Sequence, residues 1–293
     1  MKLSKTLIFL SCLVALLGSV YAGVGLFWQD GGSSSTFTTL HGTTVEIYGQ
    51  GLYRNDSAFK APILRGTDAV TLFVCVPVLL IAILLYRRGS LRGGLLLTGM
   101  LAYFLYNSAS LAFGAAYNNL LLVYIVSFSA SLFGVILSFT SIDLKTLAAQ
   151  TSAKFPHKGI AIFLFFAGLS LTVWLLDIVS ALATGTVPPN LGPYTTEATY
   201  VIDLGIIFPI AYLAGILIWR RNPLGTLLAS ILIIMNVSIG LVVASQSIMQ
   251  ALGGIILAPV EYAAYVAPFV TLSLIATWLA ILLFRNISNT NPL

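Results

Sequence analysis

Charge is what this 293-residue chain has least of: 8% of its residues are Asp, Glu, Lys or Arg, against 58% hydrophobic. A soluble domain carries about a quarter charged residues, because its surface faces water. A water-facing globular fold is therefore excluded. Histidine and cysteine are equally scarce, with two of each. Cys12 and Cys75 fall inside apolar runs at different depths, which argues against a disulfide. His41 and His157 fall on opposite sides of the expected bundle. No CxxC, HExxH or GxxxxGKS/T spacing occurs, which removes the usual zinc, metalloprotease and P-loop readings and leaves no cofactor expected. The net charge of +5 does not point to nucleic acid either. The basic residues sit in short loops, where they act as orientation signals.

Long apolar runs are what the chain does have. Eight can be drawn, at about 6–28, 68–86, 93–115, 118–140, 159–183, 201–219, 223–247 and 263–284, each near the length a bilayer requires. Barrel strands would be about half as long. The expected fold is all-α, a polytopic membrane helix bundle whose principal partner is the lipid bilayer, with oligomeric state left open. The breaks carry turn residues: RRGSLRGG, GAAYNN, TVPPNLGPY and RRNPLG. With the N-terminus inside, Lys2, Lys5, Arg87, Arg88, Arg92, Lys145, Lys154, Lys158, Arg220, Arg221 and Arg285 are all cytoplasmic. Only Arg54, Lys60 and Arg65 lie outside. That bias predicts a cell-membrane protein with both termini cytoplasmic. The first run has a basic start and VYA before Gly23, as a signal peptide would. Its continuation through GVGLFW to spanning length favours a retained helix.

The chain also reads as two halves, 1–158 and 159–293, the first including an outer loop at 29–67. TDAVTLFVCVPVLLIAILLYRRGSLRGG and VIDLGIIFPIAYLAGILIWRRNPLG each start near an Asp (Asp68, Asp203) and carry a mid-helix Pro (Pro77, Pro209). Each then ends in an aromatic–Arg–Arg turn (Arg87-Arg88, Arg220-Arg221). A duplication with both halves in one orientation implies a pseudo-two-fold axis along the membrane normal. The alternative is that any helix ending in a basic turn looks this way. The prolines are paired hinges or merely paired bends.

Eight of the nine acidic residues fall on the outer side, and Asp143 alone is inside. Asp68, Asp203 and Glu261 mark outer helix ends, where negative charge complements the helix dipole if they hold no ligand. Asp177 lies about 9 Å inside its helix end and near a C-terminus, where the dipole disfavours it, so it needs a buried partner or a cation or proton. Ser170, Trp174, Asp177, Ser180 and Thr184 recur at helical spacing, as do Tyr103, Asn107, Ser110 and Gly114. With Gln246 and Ser245 they are expected to converge on an outward vestibule rather than on lipid. Asp177, Asp203, Asp68, Asn107, Gln246 and Glu261 are thus the candidate solute- or ion-binding set. Tyr124, Ser127, Ser131, Gly134 and Ser138 read as a packing seam. In the outer loop, TVEIYGQGLYRNDS predicts a short hairpin around GQG. Arg54 is either a partner for the outer carboxylates or a solvated loop residue.

YGQGLYRNDS, LLYRRGSLRGGLLLTG and DLGIIFP resemble segments of a group of uncharacterised microbial multi-pass membrane proteins. The resemblance spans most of the chain after residue 45. It implies an eight-helix membrane protein and carries no activity or site. Three functions remain open: a transporter or permease-like binder of a small cationic or polar solute; a receptor-like or accessory subunit; and a membrane enzyme acting on lipid-linked substrates. No nucleophile–base pair or metal cluster is legible for the last.

Overall fold

The computed structural model describes residues 3–188 and 191–289. Lys2, one of the basic residues assigned above to the cytoplasm, lies outside the described residues, as do Pro189 and Asn190 of the TVPPNLGPY break. Eight helices are long and apolar enough to cross a bilayer: α1 Lys5–Phe27, α2 Lys60–Arg87, α3 Leu91–Gly114, α4 Leu121–Ser141, α5 His157–Thr184, α6 Ala198–Trp219, α7 Pro223–Leu252 and α8 Pro259–Asn286. Large apolar side chains such as Phe9, Leu84, Phe133, Phe166, Leu182 and Trp278 point outward. In a bilayer that belt is solvated by lipid. The chain is a multi-pass integral membrane protein with an all-α architecture.

The most buried helices are α3 and α7, which pack against each other at the centre. Glycines permit their close approaches. A Cβ on Gly99 would meet Ile234 at 2.7 Å; on the neighbouring α2, one on Gly66 would meet the Gln246 backbone of α7 at 2.6 Å. Around this pair, α2 and α4 flank α3 while α6 and α8 flank α7; α1 packs on α2 and α4, and α5 on α6 and α8. One continuous apolar core runs through residues of both 1–158 and 159–293. The seam on α4 is buried as expected, with Gly134 against Leu101 and Ser138 Oγ 2.6 Å from Thr98 Oγ1.

Both ends of the described chain gather on one face. The Ser4 N–H donates to the Tyr86 hydroxyl at 3.0 Å, and Ser90 Oγ donates to Asn289 Oδ1 at 3.1 Å. The opposite face carries an antiparallel hairpin, β1 Ser35–Thr38 and β2 Thr44–Ile47. Its turn is Thr39–Thr43, held by the Thr39 and Thr43 hydroxyls 2.7 Å apart, and not the expected GQG. Gly49 and Gly51 instead bend the returning chain at φ 81° and 59°, where a side chain would strain the backbone and overlap Ser33 and Trp28. A second correction concerns α2, which begins at Lys60 and not near 68. Its charged first turns look like loop by hydropathy, yet their side chains find partners: Lys60 on Glu197, Arg65 on Tyr48, Asp68 on Tyr53.

Three helices share one irregularity. A π-helical turn runs over Thr71–Cys75, Asp203–Ile207 and Tyr262–Val266, each ending two residues before a proline: Pro77, Pro209 and Pro268. Proline has no N–H to donate and its ring crowds the preceding turn, so widening that turn relieves the clash without ending the helix. Between the first two, the whole neighbourhood repeats at one constant offset, that of Thr71 to Asp203. Gly89 and Arg221 both adopt positive φ, at 76° and 56°. Ser90 and Asn222 then cap α3 and α7. Gly93 and Gly225 abut the equivalent backbones at Leu85–Tyr86 and Leu217–Ile218. This register pairs Arg88 with Arg220, Thr71 with Asp203, and Asp68 with Tyr200. It replaces the expected pairing of Asp68 with Asp203 and of Arg87-Arg88 with Arg220-Arg221.

Candidate functional site

A cavity of about 290 Å³ opens among α2, α3, α5, α6, α7 and α8, in the half of the bundle nearest the hairpin. Its walls are mainly apolar, from Leu164 and Leu232 in the bundle centre to Leu257 at the hairpin face. One wall is aromatic. Trp174 stacks with Tyr200 (ring centroids 5.3 Å apart), Tyr265 (5.8 Å) and Phe269 (6.2 Å). Set into that wall is Asp203, the first residue of the α6 π turn and 5% exposed. Its Oδ2 accepts the Trp174 indole N–H at 2.8 Å, and Tyr106 of α3 stands beside it in the lining. The ion pair found among the described residues is Lys60–Glu197, so no Lys or Arg among them neutralises Asp203.

Of the predicted set, Asp203, Asn107, Gln246 and Glu261 line this cavity. Asn107 Nδ2 donates to the Tyr21 hydroxyl (3.1 Å) and Thr71 Oγ1 (3.3 Å), and Gln246 Nε2 donates to Thr67 Oγ1 (2.9 Å). Glu261 sits at the start of α8, where Oε2 accepts the Ala258 N–H at 2.6 Å in the manner of a helix cap.

Asp177 and Asp68 do not line it. Asp177 accepts hydrogen bonds from the hydroxyls of Tyr200 (Oδ2, 3.0 Å) and Tyr265 (Oδ1, 3.0 Å). It clamps two of the rings that stack with Trp174, from behind the cavity wall. α5 is interrupted at Leu171, whose N–H bonds the Gly168 carbonyl three residues back, yet the expected stripe Ser170–Trp174–Asp177–Ser180–Thr184 continues across that break and splits only beyond Trp174. Ser170 and Trp174 line the cavity, while Ser180 and Thr184 are exposed. Asp68 is fully buried between α1 and the loop, with Oδ2 accepting the Tyr53 hydroxyl at 2.7 Å. Arg54 pairs with no carboxylate among the described residues: Nε donates to the Gly51 carbonyl at 3.0 Å and the guanidinium lies 5.1 Å from the Trp28 ring centroid. Pro77 and Pro209 lie behind their π turns, away from the cavity lining.

Over the mouth, two segments distant in sequence are tied together. Lys60 Nζ binds Glu197 Oε2 at 2.9 Å and lies 4.1 Å from the Tyr194 ring centroid. The Tyr194 hydroxyl donates to Asp56 Oδ1 at 2.8 Å and accepts the Ser57 N–H at 3.1 Å. Asp56 also accepts the Ala116 N–H at 2.8 Å. Burial pushes its carboxyl up from 3.8 to about 6, against the opposing hydrogen bonds from Ala116 and Tyr194 and the charge of Lys60.

The sequence reading missed Tyr106, Tyr200, Tyr265, Phe269 and the Lys60–Glu197 pair. The one available signal was Tyr200 standing three residues before Asp203, on the same helical face. Among the described residues no group of three His, Cys, Asp or Glu side chains is placed to hold a metal. What the arrangement offers is a carboxylate held by an indole N–H, with aromatic and apolar walls around it. That combination suits an ammonium group on an apolar body. Compared with family models, curated proteins and solved structures, the chain matches none.

Proposed function

We propose that this protein is a transporter- or permease-like binder of a small organic solute carrying an ammonium group. Asp203 carries this reading. A nearly buried carboxylate with no cationic partner among the described residues stands in the aromatic wall of a solute-sized cavity. Uncompensated carboxylates at membrane depth are costly, and they are retained where a ligand, ion or proton uses them. Lys5, Arg87, Arg88, Arg92, Lys145, Lys154, Lys158, Arg220, Arg221 and Arg285 stand toward the face that holds the two ends, which orients that face to the cytoplasm and the cavity outward. The π turns ahead of Pro77 and Pro209 are the hinges of this reading, because a helix bends most readily where its ladder is already broken.

The test is a thermal-shift and calorimetric screen of purified protein in lipid nanodiscs against primary and quaternary ammonium compounds, followed by uptake into proteoliposomes. Wild type binds at least one class, and Asp203→Asn weakens that binding while the protein stays monodisperse. Binding that is indifferent to Asp203→Asn ends the proposal. Binding without uptake moves it to the receptor-like reading.

A further inference from the structure

The cavity has a second polar end, and nothing in the ammonium reading uses it. Gln250 on α7 is 4% exposed and lines the cavity, yet its Nε2 has no hydrogen-bond partner. The buried Ser110 Oγ on α3, also in the lining, has none either. Both lie near the first turns of α2. Gly66 packs on the Gln246 backbone and Gly253 on Pro62, so Gln250, between them on α7, is held against the turns that carry Lys60 and Ile63. Ser110 sits one turn before Gly114, where a Cβ would stand 3.7 Å from Lys60 Nζ.

We infer that the solute is zwitterionic: its ammonium group goes to Asp203 and the aromatic wall, and its carboxylate to Lys60, Ser110 and Gln250. This rests on the ammonium reading and extends it to the other end of the ligand. The chemistry is that of orphaned donors. An amide N–H sealed from water without an acceptor costs free energy in the empty protein, and a ligand that brings the acceptor recovers it. An ammonium, an indole or a hydrocarbon offers no acceptor to Gln250 Nε2; a carboxylate offers two oxygens. Lys60 supplies the matching charge. In this structure Glu197 holds that ammonium at 2.9 Å, as an internal stand-in for the ligand's anion. Binding exchanges one carboxylate for another at Lys60 and releases the Glu197 side of the mouth.

The experiment uses full-length protein in nanodiscs and two matched probe pairs: glycine betaine against n-propyltrimethylammonium, and phenylalanine against phenethylamine. Within each pair the cation is the same and the carboxylate is present or absent. Wild type binds the carboxylated member of at least one pair about tenfold more tightly, the scale of one or two recovered hydrogen bonds. Ser110→Ala with Gln250→Met removes that preference and leaves affinity for the plain amine unchanged. Gln250→Glu, which keeps the side-chain volume and places an anion at the same point, inverts the preference. Equal affinity within both pairs, or a preference that survives both variants, overturns the zwitterion inference while the ammonium reading stands. No binding of any of the four probes overturns both.

Discussion

Each half of this molecule places a carboxylate on the helix that enters its π turn, and the two carboxylates end in opposite surroundings. In the first half Asp68 is sealed: Tyr53 donates to it at 2.7 Å, Gly25 lets it lie against α1, and no side of it meets the cavity. In the second half Asp203 is held at 2.8 Å by Trp174 and faces open volume. At the register the two halves share, Asp68 corresponds to Tyr200, so acid and phenol exchange places. The first half sets Asp68 on α2 under Tyr53, whereas the second sets Tyr200 on α6 against Asp177. Small residues on α1 let the first cluster close. Stacked rings on α5, α6 and α8 are too large to interdigitate, and they leave a cavity beside them.

That contrast predicts different outcomes for mutations in the two halves. The largest effect is expected from Gly25→Val, because even its Cβ would overlap Asp68 Oδ2 and approach the Tyr53 hydroxyl to 2.9 Å. Overpacking a closed polar cluster should cost about 3 kcal/mol. It should be read as a lower melting temperature and loss of monodisperse protein, with any protein that survives binding normally. Asp203→Asn should do the reverse, weakening ammonium binding by about 10- to 100-fold, or about 1.5–3 kcal/mol, with little change in melting temperature. Equal stability losses from both would show the two clusters to be the same kind of structure after all.

Most of the fold was legible because lipid imposes a simple rule: apolar runs of about 20 residues become helices. Seven of the eight expected spans agree with the helices to within about five residues at each end. The exception, α2, extends eight residues further back, to Lys60, because tertiary partners hide its charges. Half of the site was legible for a related reason. Asn107, Asp203, Gln246 and Glu261 are polar residues that lipid would not tolerate, so they had to face inward. Nothing local distinguishes a cavity wall from a strut behind it. Asp177 satisfies the same rule as Asp203, yet its two oxygens are taken by the Tyr200 and Tyr265 hydroxyls behind the wall. The π turns are equally silent in hydropathy, and they correct the register of the proposed repeat.

The cap over the cavity sharpens the comparison through pH. The Asp56 carboxyl sits at about 6 when folded against 3.8 ordinarily, so the folded protein holds this proton more tightly than the unfolded chain. Its contribution to stability is complete below about pH 4 and is lost as pH rises through about 6. Between pH 7 and pH 5 it should add about 1 kcal/mol, read as a rise in melting temperature that is absent in Asp56→Asn. A melting temperature that falls equally in both proteins over that interval would remove Asp56 from the account.

The smallest effect concerns Asp177, where the comparison is finest, because Asp177 and Asp203 lie on neighbouring helices and differ only in what they face. Asp177 accepts from Tyr200 and Tyr265, each at 3.0 Å, and both rings stack with the indole that holds Asp203. Its role is therefore to position the wall. Asp177→Asn should cost about 0.5–1 kcal/mol of stability, the net worth of hydrogen bonds at a half-buried site. Asn keeps an acceptor for only one of the two hydroxyls. Tyr265→Phe should cost a similar amount, and the double variant less than the sum, since both remove the same bond. Solute binding should weaken only about two- to threefold in either variant, because the ligand touches neither Asp177 oxygen. A loss as deep as that of Asp203→Asn would mean that Asp177 faces the solute. Additive stability losses would mean that the clamp does not hold.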